Sequence, residues 1–270
     1  KQLNETAESV LVIESETGEP TIEQVERLRR VIENEKLSLV FAIGGGSVID
    51  AAKAASGLAY STQNAKDCYL LNGEVLKRKV GFVAVPTTAG SGAEVTPNAV
   101  LSDHETRKKK SLRGKSMFPD AAYIVPDLLF GLPRSVAAAS GADALVQAVE
   151  AFVSRNSTSL TDAISFESAM LCERSLFNFV NNRDVKSCED MSKGSLLAAI
   201  AFSQSRLGAV HGVVHTIGVI TGTPHGVCCA AFLPHVIRMN YSFARSKYDR
   251  LASLWNCDPA NHLRDLFNSI

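Results

Sequence analysis

"LSLVFAIGGGSVIDAAKAASGLAY", residues 37–60, decides the fold class. An apolar run from Leu37 to Ile43 meets three glycines, and an alanine-rich segment begins near Ser47. An unbroken apolar strand suits a parallel sheet, in which both faces are covered and neither side alternates with water. The glycines permit a tight turn and close backbone approach, leaving the N–H groups of the next helix open to an anion such as phosphate. The spacing is not G-x-G-x-x-G, so the standard dinucleotide fingerprint is not met, and a plain strand-to-helix turn is the competing reading.

Working outward, "VGFVAVP" (80–86) is a second buried strand, and "PTTAGSGAEVTPN" (86–98) is a second loop rich in glycine and hydroxyls. Loops after parallel strands gather on one carboxyl edge, where open α/β sheets bind ligands. Thr87, Thr88, Ser91 and Thr96 offer hydroxyls there. Upstream, "TIEQVERLRRVIENEK" (21–36) follows Pro20 and resembles a capped helix opening at Thr21, with Ile22, Val25, Leu28 and Ile32 on one face. "SVLVIE" (9–14) and "YIVPDLL" (123–129) read as further strands. This alternation predicts an α/β layer with a parallel sheet. From about Leu132 the pattern turns helical to the end. The reading is therefore an α/β domain over residues 1–130 and an all-α domain over 131–270.

The totals exclude some functions. Acidic and basic residues balance at 28 each in 270 residues, so no global field favours nucleic acid or a membrane surface. The basic run Arg107–Lys110 reads as a solvated turn. The six cysteines form no CxxC, which fits a reduced, cytoplasmic chain, and residues 1–30 are charged throughout, unlike a signal peptide. The uncharged stretch 207–237 is long enough to span a bilayer, but its glycines, Pro224, Pro234 and histidines predict a buried helix, a turn and a second buried helix.

That stretch includes "AVHGVVHTIGVITGTPHG" (209–226), which holds three of the six histidines. His211 and His215 stand four apart on one helix face, and His225 follows a turn. In "SGADALVQAVEAF", Asp143 and Gln147 also share a face, with Glu150 nearby. A buried carboxylate and several imidazoles are costly alone and tolerable around a cation. Asp with two or three His suits Zn²⁺ or Fe²⁺ with a position open to substrate, and a hydrogen-bonded polar core is the alternative. His104, His235 and His262 are set aside as ligands.

The motifs "AIGGGSVIDAAKA", "PTTAGSGAEVT", "DLLFGLPRSVAAASGADALVQAVEAF" and "HGVVHTIGVITGTPHGVCCAAFLPHV" together resemble the iron-containing (group III) alcohol dehydrogenase family, which includes glycerol dehydrogenases and is related to dehydroquinate synthases. The resemblance covers residues 9–255. It implies a dehydroquinate synthase-like fold, with a dinucleotide-binding α/β domain, a helical domain, and cofactor and metal meeting between them. By the same resemblance Gly45, Gly46, Ser47 and Asp50 belong to the pyrophosphate loop, Thr87, Thr88 and Thr96 lie beside the phosphates and nicotinamide, and Lys109 and Leu128 reach the cofactor. Asp143, His211 and His225 match metal ligands, and His215 matches a catalytic neighbour. Family members carry an opening strand before the region of residues 1–10 and further helices after Ile270. Dimers or larger homo-oligomers are expected.

One position departs from the pattern. Iron-type members place a fourth ligand, histidine, where this chain has Gln147, and an amide oxygen is a poor substitute on Fe²⁺. The resulting expectation is an NAD- or NADP-dependent alcohol dehydrogenase or aldehyde reductase acting on a small alcohol or carbonyl with iron or zinc. The alternatives are a metal-independent reductase or lyase of the same fold, and a non-catalytic paralogue.

Overall fold

The computed structural model describes residues 9–16, 18–71, 78–103 and 108–270. Helix α1 (Ile22–Asn34) starts where Thr21 Oγ1 accepts the Gln24 N–H at 3.1 Å. Strand β1 (Leu39–Gly44) follows, then α2 (Gly46–Leu58), α3 (Ala65–Leu71) and β2 (Gly81–Pro86). β1 and β2 pair in parallel from Leu39↔Gly81 to Gly44↔Pro86, and the Thr87 N–H continues the pairing to the Gly44 carbonyl at 2.9 Å. In-register pairing brings the two glycine loops to the same edge, as the sequence predicts.

Three segments differ from expectation. Residues 9–14 form no strand and are exposed, because no described strand lies beside them to pair with, and β-propensity without a partner does not make a sheet. The strand expected over 123–129 shrinks to β5 (Ala121–Ala122), parallel to β2, and Pro126 opens a 3₁₀ turn through Leu129. Proline cannot donate to a ladder, which ends the strand. The basic run is not a turn: an antiparallel hairpin pairs β3 (Asn98–Asp103) with β4 (Lys108–Arg113), so Lys108–Lys110 are strand residues, while Arg107 and His104 lie outside the described residues.

The helical half comprises α4 (Arg134–Val153), α5 (Ser159–Asn181), α6 (Val185–Ser205), α7 (Ala209–Thr221), α8 (His225–Asn240), α9 (Arg245–Trp255) and α10 (Pro259–Asn268). Side-chain caps set several starts: Thr158 and Thr161 form a capping box, and Asp184 and Asp258 accept the N–H groups of Ser187 and Asn261. α4 is buried on every face from Gly141 to Phe152, against α5, α6 and α8. It is long and apolar enough to cross a membrane, but its residues are spent on this packing. The uncharged stretch folds as expected into two helices, broken at Gly222 and Pro224. α7 is less buried than predicted: only Val210, His211 and Val214 are covered, while Val213, Val219 and Ile220 face outward.

Two close approaches tie the halves and the helices together. Gly92 takes φ +67° with its absent Cβ 2.2 Å from the Ala199 Cβ on α6, and the Ser195 hydroxyl, also on α6, donates to the Gly90 carbonyl at 3.4 Å. Ala89 of the same loop joins the apolar cluster of the helices. At the start of α8, a Cβ on Gly226 would stand 1.8 Å from the Ala139 carbonyl oxygen of α4. Gly226→Ala must push α8 off α4, and overpacking of this kind costs about 1–3 kcal/mol or more. Urea denaturation should show that loss for Gly226→Ala and little change for Gly131→Ala, where nothing lies within 4 Å of the added carbon.

Candidate active site

The first part of the site is the carboxyl edge of the sheet. Gly45 is the N-cap of α2 and Gly46 its first residue, so the open N–H groups of the helix face out of the loop, with Ser47 exposed in the first turn. A Cβ on Gly46 would meet the Ser91 Oγ at 2.4 Å, and one on Gly45 would meet Thr88 Cγ2 at 3.3 Å. The two loops thus press together through positions where only glycine fits without a shift. Thr87 and Thr88 lie half-buried in this cradle, and Leu128 is partly exposed in the 3₁₀ turn after β5.

Beneath the loop lies a buried ionic cluster that the sequence did not reveal. The Lys53 ammonium, fully buried in α2, donates to the carbonyls of Thr96 and Asn98 at 3.1 and 2.7 Å and stands 3.6 Å from Asp50. Asp50 Oδ2 accepts the Val100 N–H at 2.9 Å. The carboxylate expected in the pyrophosphate loop is therefore turned towards β3, and the Thr96 hydroxyl lies 3.5 Å from Lys53. Burial raises the pKa of Asp50 and lowers that of Lys53. Lys109, on β4, is held by the Glu19 carboxylate, which also accepts from the Ser102 hydroxyl. α7 packs against β4, so this ion pair lies within electrostatic reach of His225.

The second part is carried by three helices. Asp143 Oδ1 on α4 lies 3.2 Å from His211 Nε2 on α7 and 3.6 Å from His225 Nε2 at the first residue of α8. With Cys229, these side chains offer four ligand atoms, all within 4.8 Å of one another. Carboxylate, imidazole and thiol are the donor types that divalent transition metals take, and their convergence in a buried place fits a bound cation. Burial raises the Asp143 pKa, but His211 and His225 outweigh it and hold the group below the ordinary carboxylate value. Burial likewise works to lower the His211 pKa, and the bonds to Asp143, Cys229 and Glu150 raise it well above 6.5.

Gln147 is not among these donors. Its amide Nε2 donates to Asp143 Oδ2 at 2.9 Å, and its Oε1 is buried without a hydrogen-bond partner. Glu150, one turn further along α4, accepts from His211 Nδ1 at 2.7 Å and from the backbone N–H groups of Val210 and His211. That contact fixes the His211 ring with Nε2 towards Asp143. His215 stands apart from the donors, stacked on His225 with ring centres 4.7 Å apart and Nδ1 buried without a partner. Burial, then His225, pushes its pKa down to about 4.

The structure thus brings together Asp143, His211, His225 and His215, and sets Gly45, Gly46, Ser47, Thr87 and Thr88 along one edge. Cys229 was missed, and Glu150 was noted beside Asp143 without a role. The signal for Cys229 was its place four residues after His225; for Glu150, its proximity to the face of Asp143.

Comparison with known proteins agrees with this geometry. Residues 1–126 match the description of iron-containing alcohol dehydrogenase, and residues 137–269 match that of the Fe-containing alcohol dehydrogenase family, C-terminal. The chain is 37% identical over 235 residues to lactaldehyde reductase of Escherichia coli (strain K12), an alignment covering 86% of this chain and 61% of that protein. It is 31% identical over 255 residues to NAD-dependent methanol dehydrogenase of Bacillus methanolicus, covering 94% of this chain and 67% of the relative. Among solved structures, sulfoacetaldehyde reductase from Bifidobacterium kashiwanohense in complex with NAD⁺ superposes with a TM-score of 0.85 at 26% identity, covering 94% of this chain and 69% of that one. With both halves matched, the chain belongs to the iron-containing alcohol dehydrogenase family.

Proposed function

We propose that the chain is the core of an NAD(P)-dependent alcohol dehydrogenase or aldehyde reductase acting on a small alcohol or carbonyl. The observation that carries this reading is the convergence of Asp143, His211 and His225 from three helices, behind a sheet edge with paired glycine loops. Asp143, His211 and His225 would hold the cation, and the N-terminus of α2 with Gly45, Gly46 and Ser47 would hold the pyrophosphate. A cation held there would supply Lewis-acid polarisation of an alcohol or carbonyl oxygen, and a nicotinamide would supply the hydride acceptor or donor.

The chain's own residues supply the rest. Glu150 orients His211 through Nδ1, and Gln147 holds Asp143 Oδ2, which leaves Oδ1 towards the two imidazoles. His215, stacked on His225 with a free ring nitrogen, is the group placed to take or return the substrate proton at Nδ1. Lys109, steadied by Glu19, would supply a positive charge to the cofactor. A metal-independent reductase stands on Gln147 alone, and the bond from Gln147 to Asp143 supports a metal-dependent site instead.

Purified protein supplied with NADH or NADPH and short aldehydes should consume the cofactor when Zn²⁺ or Fe²⁺ is added, and chelation should abolish turnover. No turnover with any divalent metal would sink the reading. His215→Asn should lower kcat by roughly 10²-fold or more while leaving metal content unchanged, as expected for loss of a proton-transfer group. Glu150→Ala strips three buried donors of their acceptor, at about 1–3 kcal/mol each. Its chemical denaturation midpoint should therefore fall sharply, and that of Glu150→Gln, which keeps an acceptor oxygen, should fall less.

A further inference from the structure

Cys229 lies four residues after His225 on α8, so its thiol and that imidazole share one helix face. The Sγ stands 3.6 Å from His225 Nε2 and 3.9 Å from His211 Nε2. Asp143 Oδ1 stands 3.6 and 3.2 Å from the same two nitrogens. A tetrahedral site with metal–nitrogen bonds of about 2.0–2.1 Å and metal–sulfur bonds of about 2.3 Å has donor–donor edges of roughly 3.3–3.6 Å. Four of the six donor–donor separations therefore stand close to those such a site requires, and all six lie within 4.8 Å. Cys229 is fully buried, and its recorded polar neighbours are His211, His225 and Asp143. Cys228, next in sequence, points elsewhere: its sulfur lies 3.9 Å from the Thr223 carbonyl.

We infer that Cys229 is the fourth protein ligand of the cation, in the role that Gln147 does not fill, and that this donor set selects Zn²⁺ over Fe²⁺. The inference rests on the reading of Asp143, His211 and His225 as cation-holding residues. On binding, the S–H bond breaks, its proton passes to solvent, and the sulfur electron pair forms the bond to the metal, with no change of oxidation state. Thiolate is a soft donor that suits zinc, and zinc lies above Fe²⁺ in affinity for a given nitrogen, oxygen and sulfur set. Four protein donors still admit a substrate oxygen, because zinc expands to five-coordinate. Gln147 is then a positioning residue, tethering one carboxylate oxygen of Asp143 so that the other faces the nitrogens and sulfur.

The test is cobalt substitution of the chelator-stripped protein. Co²⁺ should give visible d–d bands together with a thiolate-to-cobalt charge-transfer band in the near ultraviolet, in the unmodified protein and in Cys228→Ser. Cys229→Ser should keep the visible bands and lose the near-ultraviolet one. The same variant should weaken Zn²⁺ by at least about 100-fold, the upper end of what loss of an outer-shell partner costs, and weaken Fe²⁺ far less. Equal losses for the two metals overturn the selectivity. Visible bands without a charge-transfer band in the unmodified protein overturn ligation by Cys229 and leave the three-residue metal reading standing. No visible band at any Co²⁺ concentration overturns that reading, and the inference with it. The unmodified protein's spectrum decides the ligation whether or not Cys229→Ser folds well.

Discussion

Asp143 is a carboxylate in an alanine-rich helix with neighbours on every side, and few groups are more expensive to place there. The penalty for an isolated buried charge exceeds the whole net stability of a typical domain. His211, His225 and Gln147 must converge on it, and their convergence dictates where α7 and α8 lie against α4. Glu150 repeats the problem two turns later and solves it with the first N–H groups of α7, donors left unsatisfied at any helix start. The polar centre and the packing of three helices are thus one construction. Gly226 is part of it, since only the lack of a side chain lets His225 begin α8 so close to α4.

The α/β part applies the same economy to a cation. Lys53 is buried without bulk water and is satisfied by two backbone carbonyls and Asp50. A buried ion pair adds little net stability against well-packed apolar groups, while removing one partner is strongly destabilising. What Lys53 and Asp50 achieve is placement: they fasten α2, and hence the loop at its start, to the first residues of β3.

Much of this was legible in the sequence, and the failures have physical causes. Strand β2 announced itself because both faces of a central parallel strand are apolar, whereas β1, equally apolar in sequence, is an edge strand among the described residues and leaves Leu39, Phe41 and Ile43 exposed. The hairpin of β3 and β4 hid behind "KKKSLR", in which Lys109 pairs with Glu19 and Lys110 lies over the Tyr69 ring rather than showing the apolar alternation of a core strand. Residues 9–14 have strand composition and no strand partner among the described residues, which sequence cannot report. At the site, the i, i+4 spacing of Asp143 with Gln147 and of His211 with His215 was correctly placed on helix faces. Spacing alone could not say which member of each pair meets the others across helices. The same periodicity that linked His211 to His215 also links His225 to Cys229, a pairing that stands out only once the thiol is seen to meet both imidazoles.

The second glycine loop sits on the helices as well as on its own sheet. Gly92 is wedged against Ala199, Ser195 reaches the Gly90 carbonyl, and Ala89 enters the helical core. The loop is therefore held from both sides, by α6 through Gly92 and Ser195 and by the first glycine loop through Ser91 and Thr88. A chimera joined at residue 130 would part this loop from the surface it is fitted to, so exchange of either half among relatives requires Ser195 and Ala199 to be carried along with residues 89–92.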